Sequence, residues 1–62
     1  MKLNVFDVVE LENSNRAIIK EKLQNNIYNA EIVENSGKTK EFRTINEDEI
    51  RRIIYKSGYW RT

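Results

Sequence analysis

The sequence predicts a mainly β fold, small and antiparallel, with one short helix or helical turn near residues 47–52. Three observations carry the prediction. Tyr28, Ala30 and Ile32 recur at period two with Asn29 and Glu31 between them, the pattern of a strand with one buried and one wet face. Polar clusters at Glu12-Asn13-Ser14-Asn15, Gln24-Asn25-Asn26 and Asn35-Ser36-Gly37-Lys38 have the chemistry of chain reversals. Ile45-Asn46-Glu47-Asp48-Glu49-Ile50 has the chemistry of a helix start.

Composition bounds the rest. A chain of 62 residues makes one domain, residues 1–62, and a domain of this size buries only about 60% of the surface its unfolded form exposes. With no cysteine and no histidine, neither a disulfide framework nor the usual structural zinc sites are available, so packing and hydrogen bonds must supply stability. With 39% hydrophobic residues and no proline, the chain is too apolar and too regular for a disordered tail. Met-Lys-Leu-Asn-Val-Phe-Asp lacks the apolar run of a signal peptide and no later segment is long enough to cross a bilayer, so a cytoplasmic location without membrane contact is expected. Net charge is +1, but residues 1–34 carry four Lys or Arg against six acids, and residues 35–62 carry seven against four. A near-neutral total argues against a strong general nucleic-acid binder and leaves room for a local basic face.

Val5 to Leu11 reads as the first strand, with Val9 and Leu11 at alternate positions. The chain reverses at residues 12–15, and Arg16 opens the second strand. There Ala17, Ile19 and Leu23 share a parity, with Glu21 as the exception. A helix is the rival reading, because Ile19 and Leu23 are four apart; the following turn favours a strand that joins an antiparallel meander. Ile27 to Ile45 is the central hairpin, closed where Gly37 supplies a positive φ. In its second arm, Thr39 to Ile45, Phe42 is the main inward candidate, and Lys40 and Glu41 blunt the exposed surface. Asn46 caps the next element, Glu49 completes a capping box, and Ile45 with Ile50 fits a hydrophobic staple. Two continuations compete: one turn followed by a strand from Ile53 to Lys56, or a helix through Ser57 capped by Gly58. Periodicity slightly favours the helix.

The succession Asp7-Val8-Val9-Glu10-Leu11, Ala17-Ile18-Ile19, Tyr28-Asn29-Ala30-Glu31-Ile32-Val33-Glu34, Gly37-Lys38-Thr39 and Ile45-Asn46-Glu47-Asp48-Glu49-Ile50 resembles short bacterial chains of unknown function that form an SH3-like β-barrel. The resemblance covers about residues 5–56 and implies a short helical turn before the last strand. Phe6 departs from it, standing where many such chains have glycine, and the Tyr59-Trp60 tail lies beyond it. No active residues are implied.

The strongest candidate site is the C-terminal stretch from Arg51 to Arg61, with Arg51, Arg52, Lys56 and Arg61 as cations and Tyr59 and Trp60 as rings. Rings beside cations suit either a protein interface or single-stranded nucleic acid. The bland alternative folds Tyr59 and Trp60 over an open barrel end and pairs Arg51 and Arg52 with Glu47 and Asp48. Glu47, Asp48 and Glu49 point in different directions at a helix start, which suits capping better than metal binding. No spacing joins Lys, Ser, Thr, Tyr or carboxylates into a catalytic device, so no enzyme activity and no cofactor are expected. Ile18 and Val33, opposite in parity to Ile19 and Ile32, suggest an apolar patch on the outer face. The expectation is a non-catalytic module that binds a protein partner through its open sheet face and through Tyr59, Trp60 and Arg61. The alternatives are weak nucleic-acid binding through Arg51, Arg52, Lys56 and Arg61, or a symmetric oligomer covering Ile18 and Val33.

Overall fold

Alternating apolar residues and short polar turns build five strands in a computed structural model that describes residues 2–34 and 40–57. They are β1 (Val8–Leu11), β2 (Arg16–Gln24), β3 (Ile27–Val33), β4 (Lys40–Asn46) and β5 (Ile50–Tyr55), with a 3₁₀ turn at Glu47–Glu49 between the last two. All pairings are antiparallel, and the sheet order is β4-β3-β2-β1-β5. The mainly β class and the short helical turn are as expected. Among the described residues no ladder joins β4 to β5, so the sheet has two edges. The hairpin closure at Gly37 lies outside the described residues.

The turns use positive φ at non-glycine residues. Ser14 (φ 76°) reverses the chain after β1, and Asn26 (φ 70°) does so after β2. Small polar side chains tolerate this region, and the first reversal is braced by Asn13 Oδ1, which accepts from the Asn15 amide at 3.0 Å.

One face of the sheet is the core. Val9 and Leu11 of β1, Ala17 and Ile19 of β2, Tyr28, Ala30 and Ile32 of β3, Ile45 of β4 and Ile50 at the start of β5 form one buried cluster, with Ile53 packed against it. Leu3 joins from the N-terminal segment. Burial raises the Tyr28 phenol above its ordinary pKa, with the charge of Glu47 adding to the effect.

Two expectations are corrected, and one open choice is decided. Leu23 is 44% exposed, because β2 carries two irregularities against β3, one between Ile19 and Glu21 and one between Lys22 and Gln24. Each inserts one residue, so the inward parity set by Ala17 and Ile19 is lost before Leu23. Phe42 is 74% exposed. Its register partner is Glu31, on the opposite face from Ala30 and Ile32, and Ile45 takes the core position expected of it. The long helix does not form: the capping box at Asn46 holds a single 3₁₀ turn, and β5 follows directly. Pairing with β1, which seats Ile50 across from Leu11 and Ile53 across from Val9, outweighs the helical spacing of Ile50, Ile53 and Ile54.

Candidate functional site

Of the four cations expected to form a binding patch, Arg51, Arg52 and Lys56 are bound into the fold. Arg52 Nε meets Glu10 Oε1 at 2.7 Å across the β1–β5 ladder, and Arg51 Nη2 donates to the Glu12 carbonyl at 2.8 Å, its other nitrogen lying 4.0 Å from Glu10. The pairing of both with Glu47 and Asp48 is thereby corrected: on a strand, Arg52 lies across from Glu10. The hydrogen bond from Arg52 holds the Glu10 carboxyl below its ordinary pKa, helped by the charges of Arg51 and Arg16. Tyr59, Trp60 and Arg61 lie outside the described residues.

Lys56 reaches back to the N-terminal loop. Its Nζ lies 2.7 Å from Asp7 Oδ2 and 3.2 Å from the Lys2 carbonyl. Asp7 is fully buried and also accepts from the Ser57 amide at 2.8 Å and the Asn4 amide at 2.9 Å. Burial raises its pKa, but the hydrogen bonds from Lys56, Ser57 and Asn4 together outweigh burial and set it below its ordinary value. Asp7 therefore ties the end of β5 to the start of the chain. Its only signal in the sequence is its place directly before the apolar run of β1.

The same loop presents an aromatic ring. The Asp7 amide donates to the Asn4 carbonyl at 3.1 Å, closing a four-residue turn whose third residue is Phe6, with φ at 73°. That position of a type II turn favours glycine. Phe6 is nevertheless 43% exposed, with Lys20 Nζ 5.3 Å from its ring centroid.

The outer face of the sheet carries further exposed apolar groups. Register places Tyr55, Val8, Ile18, Glu31 and Phe42 in one transverse row from edge to edge. Val8 and Ile18 are half-buried, while the rings at the two ends, Phe42 and Tyr55 (58%), are open. Beside Phe42 lies an open groove of about 470 Å³ lined by Lys20, Glu21, Asn29, Phe42, Arg43 and Thr44. Its polar groups are ordered among themselves: Lys20 meets Glu31 at 3.5 Å, Asn29 donates to Glu21 at 3.3 Å, and Thr44 donates to Asn29 at 3.0 Å.

No protein-family model, curated protein or solved structure matches this chain. Its functional reading rests on these side chains. Among the described residues no three acids are grouped to hold a metal ion, and no helix is long and apolar enough to cross a membrane. Sequence reasoning missed Phe42 and Tyr55 as surface rings. Val33 and Ile18 were the usable signal for that face, since both carry outward parity.

Proposed function

We propose that the chain is a non-catalytic interaction module that binds a protein partner through the outer face of its sheet, with Phe42 as the anchor. The exposure of Phe42 on a regular strand carries this reading. A large ring left in water beside ordered polar groups is the kind of residue that concentrates interface energy. Phe6 adds to it: a bulky residue held where glycine is favoured keeps a ring at the surface, and such strain is most often retained where a side chain has a task. The alternative, weak nucleic-acid binding through Arg51, Arg52, Lys56 and Arg61 with Trp60 stacking, is less favoured because the first three cations already have partners within the chain.

The test is retention of proteins from the chain's own cell extract on the immobilised wild type, Phe42→Tyr and Phe42→Glu. A protein held by the first two and lost with the third supports the reading. An identical set on all three, with Phe42→Glu still folded by circular dichroism, overturns it. Titration with single-stranded DNA or RNA at low ionic strength, followed by Trp60 fluorescence, checks the alternative, which no quenching would remove.

A further inference from the structure

Among the described residues strand β4 is a sheet edge, and one bond fixes which of its backbone groups face outward. The Glu47 amide donates to the Asn26 carbonyl at 2.8 Å. Asn26 and Glu47 stand one step beyond the Ile27–Asn46 pair in the same register, so theirs is a hydrogen-bonded pair. Hydrogen-bonded and non-bonded pairs alternate along an antiparallel ladder, which makes Tyr28–Ile45, Ala30–Arg43 and Ile32–Glu41 the bonded ones. The amide and carbonyl groups of Phe42 and Thr44 then point away from β3, to the open edge. Asn46 agrees with this phase, since its amide leaves the sheet to reach Glu49 Oε2 at 3.0 Å.

The β4–β3 register runs from Lys40 to Asn46 without a shift, and β4 contains no proline. A straight edge with open backbone groups is a template for another strand unless charge or shape forbids it. Charge here selects. An added antiparallel strand must match outward-facing groups with outward-facing groups, so a second β4 related by a two-fold axis has few registers available. Centred on Arg43, it sets Arg43 against its own copy; centred on Glu41, it does the same with Glu41. Centred on Phe42, it sets Glu41 against Arg43 of the second copy and Arg43 against Glu41, while the two Phe42 rings meet on the outer face; Arg43 Nη1 also meets Glu49 Oε1 of its own chain at 3.2 Å, and its side chain stays partly exposed beside that contact.

We propose that β4 pairs with β4 of a second copy of this chain, antiparallel and centred on Phe42. The proposal rests on reading the Phe42 face as an interaction surface and names its occupant. The charged pairs and the ring pair are both self-complementary, as an isologous two-fold contact requires. Pairing in this register joins two five-stranded sheets into one sheet of ten. The transverse row of Tyr55, Val8, Ile18, Glu31 and Phe42 then continues through the axis into its copy. Glu41, expected from sequence to discourage pairing, acts with Arg43 against the registers centred on either of them, and a register centred on Thr44 would need the Asn46 amide that Glu49 Oε2 already holds.

Sedimentation from micromolar to millimolar chain concentrations tests this with four proteins: wild type, Glu41→Arg, Arg43→Glu and the double swap Glu41→Arg/Arg43→Glu. The wild type forms a concentration-dependent dimer. Each single variant sets like charges opposite one another twice per dimer and weakens it about tenfold or more, and the double swap restores it. Both side chains are exposed, and Arg43→Glu also removes the contact with Glu49, so circular dichroism verifies that each variant is folded before the dimers are compared. A wild type that is monomeric throughout, or a double swap no tighter than the single variants, overturns the pairing. A monomeric wild type whose Phe42→Glu variant still loses a captured protein overturns only the second copy as occupant; one whose Phe42→Glu variant loses nothing overturns the outer-face reading as well.

Discussion

Asp7 and Phe6 are adjacent, and they answer opposite demands. Asp7 is buried yet ionised, held by Lys56 and two backbone amides, so its folded-state pKa is below its unfolded value. The unfolded chain binds the extra proton in the interval between the two values. The stability that Asp7 contributes is therefore full above about pH 5 and is lost as pH falls through the folded-state pKa. Asp7→Asn is expected to cost about 1–3 kcal/mol at neutral pH. Urea unfolding at steps from neutral to acid pH checks this: the gap between wild type and variant should narrow in acid, and parallel curves would contradict the assignment. At Phe6, a left-handed backbone in a non-glycine residue costs roughly 1–2 kcal/mol, against a cation–π contact of about 0.5–1 kcal/mol and the added freedom of glycine in the unfolded chain. Phe6→Gly should leave stability within about 1 kcal/mol of wild type, while the β-branched Phe6→Val should lose about 1–2 kcal/mol. A large loss in Phe6→Gly would show that the ring is a structural support.

At the scale of elements, the strands legible in the sequence were those whose parity is uninterrupted. Val9 with Leu11, and Tyr28 with Ala30 and Ile32, alternate cleanly, and each is buried as its spacing requires. The capping box at Asn46 is equally local, and both of its reciprocal bonds are present. What the sequence hid was non-local. The extra residues in β2 move Leu23 out of line, and no local pattern announces them. The parity of β4 depends on its register against β3, which alone decides that Ile45 is inside and Phe42 outside. The helix-like spacing after Ile50 yields to a ladder with β1, far away in sequence. For the same reason Arg51, Arg52 and Lys56 looked like a patch: their partners, Glu10, the Glu12 carbonyl and Asp7, lie at the other end of the chain. The backbone phase of β4 makes a separate prediction. Thr44→Pro removes an amide that faces the open edge, whereas Arg43→Pro removes one bonded to β3. Thermal unfolding should place Arg43→Pro about 2 kcal/mol or more below Thr44→Pro, and equal losses would contradict the phase.

For the molecule as a whole, a single sheet builds the core, and inward side chains from every strand share one cluster. That economy leaves two edges and an outer face with its own row of apolar groups. Lys56, Asp7 and Ser57 tie the end of β5 to the N-terminal loop. Among the described residues no strand pairs with the outer edge of β4. Small domains have little core to spare, so a large ring placed at that edge is best understood through what meets it. The most direct measurement is amide hydrogen exchange, residue by residue, in dilute and in concentrated solution. The amides of Glu41 and Arg43, bonded to β3, should be protected at both concentrations, while those of Phe42 and Thr44 should exchange rapidly when dilute and become protected as the second copy pairs. Rapid exchange at Phe42 and Thr44 at every concentration would contradict the pairing of β4 with its copy.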